Sequence, residues 1–305
     1  MKVLITGGAG FIGSHIAEEI LKRKEECEVV IYDNLSVGKK ENIPKGCAFI
    51  KGDIRDKENL KKAMKNVDIV FHNAAFVSIR GSFEKVGETL ESNFVGTLNV
   101  LEACVECGVK KIIFASSMDV YGEPEYVPVD EEHPLKTKSP YGLSKITGEL
   151  LCKLFKDNHG LDYIVLRYFN TYGTRQTLSS YVGVTTIFIN QALKREPLTI
   201  HGDGKQTRDY IWVNDVAQAN VLAAFSDTTG IFNVGSGKEV SVNQIADMII
   251  NRLGGKKVYL EAPPGEIKRM SADITKAKAV LGFKPTADLQ EKISELIDWW
   301  KETKK

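Results

Sequence analysis

No apolar run in the 305 residues is long enough to cross a bilayer. The first residues, MKVLITGGAGFIGS, lack a small-residue cleavage site and read as a strand and turn, not as a signal peptide. Neither sign of charge prevails: 41 Lys and Arg against 40 Asp and Glu leave +1. There is thus no electrostatic case for nucleic acid or an anionic membrane as partner. The five cysteines are odd in number and scattered, so no disulfide framework is expected. Cys104 and Cys107 have pair spacing but sit inside the helical pattern NVLEACVECGVKK, and no second Cys or His pair completes a metal site. A reducing, cytoplasmic setting fits this usage. Internal repeats and low-complexity tracts are also lacking.

What is present is an ordinary soluble composition, 43% hydrophobic and 27% charged. The length suits one large α/β domain, or a domain with a smaller lobe. Short, almost wholly apolar runs (KVLITG, EVVIYD, CAFIKGD, DIVFHNAA, KKIIFASS, YIVLRYFN) alternate with helical patterns, among them FIGSHIAEEILKRK, KENLKKAMK and one long helix over about 84–107. This predicts a doubly wound parallel sheet, covered on both faces, over residues 1–170. Beyond 170 the loops lengthen, Pro263 and Pro264 make a break, and LQEKISELIDWWKE forms a last amphipathic helix. Residues 171–305 are expected to build mainly a smaller mixed α/β lobe, with some segments returning to the first domain.

The segment TGGAGFIGS places Gly7, Gly10 and Gly13 between a strand and a helix. Gly7 permits the tight turn, Gly10 lets a pyrophosphate approach the backbone, and Gly13 lets helix and strand pack closely. The helix N-terminus then faces the phosphates. Asp33 ends the second strand and can bind both adenosine ribose hydroxyls, which favours NAD over NADP. A structural turn followed by an unrelated acid is the alternative.

SPYGLSK puts Tyr141 and Lys145 on one helix face, with Pro140 in the first turn. Tyrosine is a poor base at its usual pKa of about 10. A neighbouring ammonium and a cationic nicotinamide would both favour the phenolate. On these seven residues alone an exposed pair without a role is the simpler reading. The preceding strand ends in FASSMDVYG, where a doubly wound sheet forms its ligand crevice. Ser116 and Ser117 are therefore both expected to point hydroxyls at the cofactor.

TGGAGFIG, GDIRD, HNAA, NFVGTLNVLEA, SSMDVYG, SPYGLSK, LRYFNTYG and RDYIWVND together resemble the extended short-chain dehydrogenase/reductases that act on nucleotide sugars, the UDP-glucose 4-epimerase group in particular. The resemblance implies a Rossmann domain that binds NAD and a lobe that binds a UDP-hexose. It implies Ser117 on the sugar hydroxyl, Tyr141 as base and Lys145 on the nicotinamide ribose. Phe11 and Ile12 would lie along the pyrophosphate, Asp33 and Asn34 at the ribose, Asp53 and Ile54 at the adenine. Ala74, Ala75, Asn93 and Phe169 would line the cofactor. Asn170 and Arg208 would take the diphosphate and Glu266 the uridine ribose. Without the resemblance, Arg208 would pass as a salt-bridge partner of Asp209. The implied reaction oxidises carbon 4 and reduces it from the opposite face, with NAD regenerated. A homodimer through the long helix and the Tyr141 helix, packed as a four-helix bundle, is also implied.

Four residues in three places depart from the group's pattern. Met118 and Asp119 stand where epimerases carry small or neutral residues; sugar dehydratases have an Asp–Glu pair there and nucleotide-sugar decarboxylases a Glu at the second place. Asp119 suits a decarboxylase of UDP-glucuronate or a turn cap equally. Pro263 replaces an arginine, so Arg175 or Arg269 is expected to supply the missing charge. Met270, near the residue that sets pocket size, would admit N-acetylated sugars or simply pack. A UDP-glucuronate epimerase or decarboxylase, and a non-catalytic dinucleotide sensor on the same fold, are the competing readings.

Overall fold

A computed structural model describes residues 1–23, 26–177, 183–262 and 266–303. Pro263 and Pro264 lie outside the described residues. The chain runs β1 (Lys2–Thr6), α1 (Phe11–Arg23), β2 (Glu28–Asp33), β3 (Ala48–Lys51), α2 (Lys57–Ala63), β4 (Ile69–His72), α3 (Ile79–Glu84) and α4 (Val86–Leu90). A π-helical stretch, Glu91–Val95, leads into α5 (Gly96–Cys107), then β5 (Lys111–Ser117), α6 (Pro140–His159), β6 (Asp162–Tyr168) and β7 (Asn170–Tyr172). The remainder comprises α7 (Val184–Leu193), β8 (Leu198–His201), β9 (Thr207–Arg208), β10 (Tyr210–Trp212), α8 (Val213–Ala224), β11 (Gly230–Val234), β12 (Val240–Ser241), α9 (Val242–Leu253), β13 (Lys257–Leu260), α10 (Thr275–Leu281) and α11 (Leu289–Thr303).

Seven strands form one parallel sheet in the order β11-β6-β5-β4-β1-β2-β3. The order reverses between β1 and β4, where a crevice opens beyond the strand ends. Strands such as VLIT and IVFH are buried throughout, because helices cover both faces of the sheet. One core lies under α1 and α8, the other under α2, α5 and α6. β11 comes from beyond residue 170 and completes the sheet beside β6. A third core gathers α7, α9 and α11 around Trp212 and Ile245. A fourth, built on Tyr121, Phe169 and Met270, joins the end of β5 to residues 270–274. A parallel bridge from Val129 to Ala272 adds backbone bonds to that junction.

The helix expected over about 84–107 is not uniform. It starts at Val86 and widens to π geometry over Glu91–Val95, which contains Asn93. Such a widening inserts an extra residue per turn and often marks a site where a side chain must be re-aimed. Among the described residues no helix is long and apolar enough to cross a membrane.

Candidate functional site

The turn between β1 and α1 is drawn tight by its sequence. Gly7 has φ +68°, a left-handed conformation that glycine enters without strain. A Cβ on Gly7 would sit 2.7 Å from the Ala74 nitrogen, and one on Gly13 would strike the Gly7 carbonyl. The close approach of β1, β4 and α1 thus needs both glycines. Phe11 and Ile12 open α1, whose first-turn N–H groups have no partner within the helix. Asp33 closes the crevice floor from the end of β2. Its Oδ2 accepts from the Ala9 N–H at 3.0 Å and its Oδ1 from Leu35 at 2.7 Å. Burial raises its pKa, and the two backbone donors oppose that rise. Asn34 donates to Asp53 Oδ2 at 3.0 Å, and Arg55 holds the same carboxylate through Nε and Nη2. Those bonds lower the Asp53 pKa well below the usual carboxylate value. Ile54 packs beside Gly96.

On the other side of the switch point, Asn93 is already committed. Its amide accepts from Phe76 N at 2.6 Å and donates to the Phe76 carbonyl and to Ser144 Oγ at 2.9 Å. It clamps the loop that carries Ala74 and Ala75 against α6. Asn73, in the same loop, buries both amide atoms with no hydrogen-bond partner among the described residues. The HNAA motif held Asn73 in plain view, yet sequence reasoning singled out only the two alanines. A buried amide at a strand end is the signal it missed.

Ser139 caps α6 by accepting from Gly142 N at 2.8 Å, and Pro140 fills the first turn. Tyr141, Lys145 and Glu149 then follow one another along the face toward β5. Lys145 Nζ donates to the Ala115 carbonyl at 2.8 Å and lies 5.7 Å from the Tyr141 ring centre. Burial lowers the Lys145 pKa to about 8, against the pull of Glu149. Burial raises the Tyr141 pKa, the Asp119 charge adds to this, and the hydrogen bond with Ser117 opposes both. Burial thus opposes the phenolate that a neighbouring positive charge favours.

The two serines of β5 separate. Only Ser117 reaches Tyr141. Ser116 faces the other way, as neighbours on a strand must, and donates to Glu149 Oε1. The expectation that both point at a cofactor is corrected here. Glu149 is also held by Arg167 through two bonds, 3.0 and 2.7 Å, with both side chains almost fully buried. Arg167 continues to the Tyr121 hydroxyl, and Tyr121 to Asn233 Oδ1 at 2.6 Å.

Arg208, on β9, is half-buried and makes no ion pair among the described residues. Its only hydrogen bond there goes to the Thr207 carbonyl, 2.8 Å away. Burial lowers its pKa. It does not pair with Asp209, which accepts instead from Ser236, Gly237 and Ala272. Asn170 Oδ1 and the Tyr210 hydroxyl are buried nearby in the chain with no hydrogen-bond partner among the described residues. Glu266 accepts from Gln206 Nε2 at 3.0 Å. Phe169 and Met270 share the fourth core, where Met270 is completely buried. Arg175 pairs with Glu18 on α1, and Arg269 with Glu239. Both candidate replacement arginines thus already have a carboxylate partner.

The crevice could therefore hold a dinucleotide along Gly7–Gly13 and Asp33. A hydroxyl, a phenol and an ammonium converge at its inner end, and a guanidinium without an ion pair among the described residues lies in the second half of the chain. Residues 3–235 match the NAD dependent epimerase/dehydratase family. A Methanocaldococcus jannaschii protein carrying the provisional name UDP-glucose 4-epimerase is 45% identical over 303 residues, covering 98% of each chain. A Bacillus cytotoxicus UDP-N-acetyl-α-D-glucosaminuronate decarboxylase is 37% identical, covering 99% of this chain and 98% of the relative. The crystal structure of Thermotoga maritima UDP-glucose 4-epimerase with UDP-glucose superimposes with a TM-score of 0.96 at 35% identity, covering both chains completely.

Proposed function

The chain belongs to the NAD dependent epimerase/dehydratase family, and from that premise we propose that it is an NAD-dependent 4-epimerase of UDP-hexoses, UDP-glucose and UDP-galactose first. The observation that carries this reading is the meeting of Ser117, Tyr141 and Lys145 at the inner end of the crevice. The glycine cradle that a Cβ would fill, together with Asp33 at the end of β2, fits NAD. Phe11 and Ile12 would lie along its pyrophosphate, Asp33 and Asn34 at its ribose, Asp53 and Ile54 at its adenine. Ala74, Ala75 and Phe169 would line its path, with Asn93 holding the loop behind. Bound NAD would accept a hydride from the sugar carbon and return it.

The rest is work for side chains. Ser117 would hold the sugar 4-hydroxyl toward Tyr141. Tyr141 would take its proton as general base and give it back as general acid. Lys145 would bind the nicotinamide ribose and keep a positive charge near the phenol. Asn170, with its orphaned amide oxygen, and Arg208, with its uncommitted guanidinium, suit the diphosphate. Glu266 would take the uridine ribose. Met270 lies wholly in the core, which supports a packing role in the pocket wall rather than a contact with the sugar. The exposed Leu143, Leu150 and Leu154 on α6 would meet a second copy in a C2 dimer.

One observation favours a second reading, a UDP-glucuronate decarboxylase or epimerase. It is the 37% identity to a uronate decarboxylase, combined with an acid at position 119. Against it, the Asp119 carboxylate is bound by Ser139 and Thr137. An NMR time course with UDP-galactose in one tube and UDP-glucuronate in another, with no NAD added, decides. UDP-glucose in the first tube supports the epimerase and retained NAD together. Turnover in the second tube alone, with or without carbon dioxide release, overturns it in favour of a uronate enzyme.

A further inference from the structure

Asp119 is the residue that the function above leaves unused. It sits in the short 3-10 turn Met118–Val120, directly after Ser117. Its Oδ2 accepts the Ser139 hydroxyl, and the Thr137 hydroxyl reaches it at 3.4 Å. Ser139 Oγ in turn accepts the Gly142 N–H at 2.8 Å. The backbone of Gly142 also bonds the carboxylate itself. The contact is close: a Cβ on Gly142 would lie 2.6 Å from Asp119 Oδ2. Asp119 N–H donates to Ser117 Oγ at 3.2 Å. One residue therefore touches the serine of the site through its backbone and the helix carrying the base through its side chain.

We propose that Asp119 is a positioning residue: its carboxylate anchors the Ser139 cap of α6 and so fixes Tyr141 against Ser117. An anion at a helix N-terminus is favoured by the helix dipole; burial raises the Asp119 pKa, and the three donors oppose that rise. Its negative charge also stands beside the phenol. The groups facing Tyr141 are Lys145 from α6, Ser117 from β5, Ser82 from α3, Tyr168 from β6 and Asp119 from the turn. Lys145 and Asp119 are the charged ones and act in opposite directions. Burial is the larger cause of the raised Tyr141 pKa, and the Asp119 charge adds to it.

The inference rests on Tyr141 being the base, and the experiment separates the two. Asp119→Asn keeps an acceptor for Ser139 but removes the charge. Ser139→Ala keeps the charge but removes the cap bond. The readouts are the pH profile of kcat and the phenolate absorbance, each differenced against Tyr141→Phe, with the melting temperature alongside. Asp119→Asn should move the acid limb and the phenolate titration down by roughly one pH unit, with KM for the UDP-sugar unchanged. Ser139→Ala should lower the melting temperature and kcat without moving the limb. An unmoved limb in Asp119→Asn, or a rise in KM that marks direct substrate contact, overturns the proposal. Retained turnover in Tyr141→Phe would instead overturn the assignment of the base, whatever Asp119 does.

Discussion

The Lys145 ammonium lies 5.7 Å from the centre of the Tyr141 ring, one helical turn away, while its hydrogen bond goes to the Ala115 carbonyl. The cation thus acts on the phenol through space. A base whose pKa is raised by burial depends on every nearby charge, and that dependence can be measured.

Replacing Tyr141 with Phe removes the proton acceptor and leaves the ring in place. Turnover should fall by about 10²–10⁴-fold. Cofactor retained after purification should be close to that of the unaltered protein, read by absorbance after denaturation. Unchanged turnover would refute the assigned role.

Lys145 supplies a pH dependence of known sign. Its pKa is lowered from 10.5 to about 8, so its charge is lost in the folded protein as pH rises through about 8. Activity should decline there, as a pH profile of kcat would show. Between about 8 and 10.5 the unfolded chain binds more protons than the folded one, so stability should rise with pH across that window. Lys145→Met should for the same reason melt higher than the unaltered protein at neutral pH, while turnover is lost. A lower melting temperature in Lys145→Met would contradict this account of the buried ammonium.

The Glu149–Arg167 pair is 4% and 2% exposed. Removing one partner strands a buried charge, which costs about 3–5 kcal/mol. Arg167→Met should therefore lower the denaturant midpoint strongly. Adding Glu149→Leu to it should recover much of the loss, because the stranded charge goes too. Two equal and additive losses would show that the residues act independently.

Arg208 and Arg269 differ in their partners, and their variants should differ accordingly. Arg208 makes no ion pair among the described residues, so Arg208→Ala should raise KM for the UDP-sugar roughly 10- to 100-fold. Arg269 is held by Glu239, so Arg269→Ala should change KM far less. Calorimetric titration with UDP checks both. A larger effect at Arg269 would transfer the diphosphate to that residue.

Much of this protein was determined by short stretches of its sequence. β-branched runs, a glycine turn and a Ser-Pro helix start act within a few residues, and they specified the strand–turn–helix, the parallel sheet and the Tyr141–Lys145 face. Pattern reading failed wherever a side chain chose a partner across the fold. It treated Ser116 and Ser117 alike and did not foresee the Glu149–Arg167–Tyr121–Asn233 chain, in which Tyr121 and Asn233 are 112 residues apart. It also left Asp119 open between a reactive acid and a cap, since Ser139 and Thr137 reach it only when α6 packs on β5. Local propensity has a range of a few residues. The pairing of buried charges and hydroxyls is decided by which surfaces meet, and only the tertiary structure brings those surfaces together.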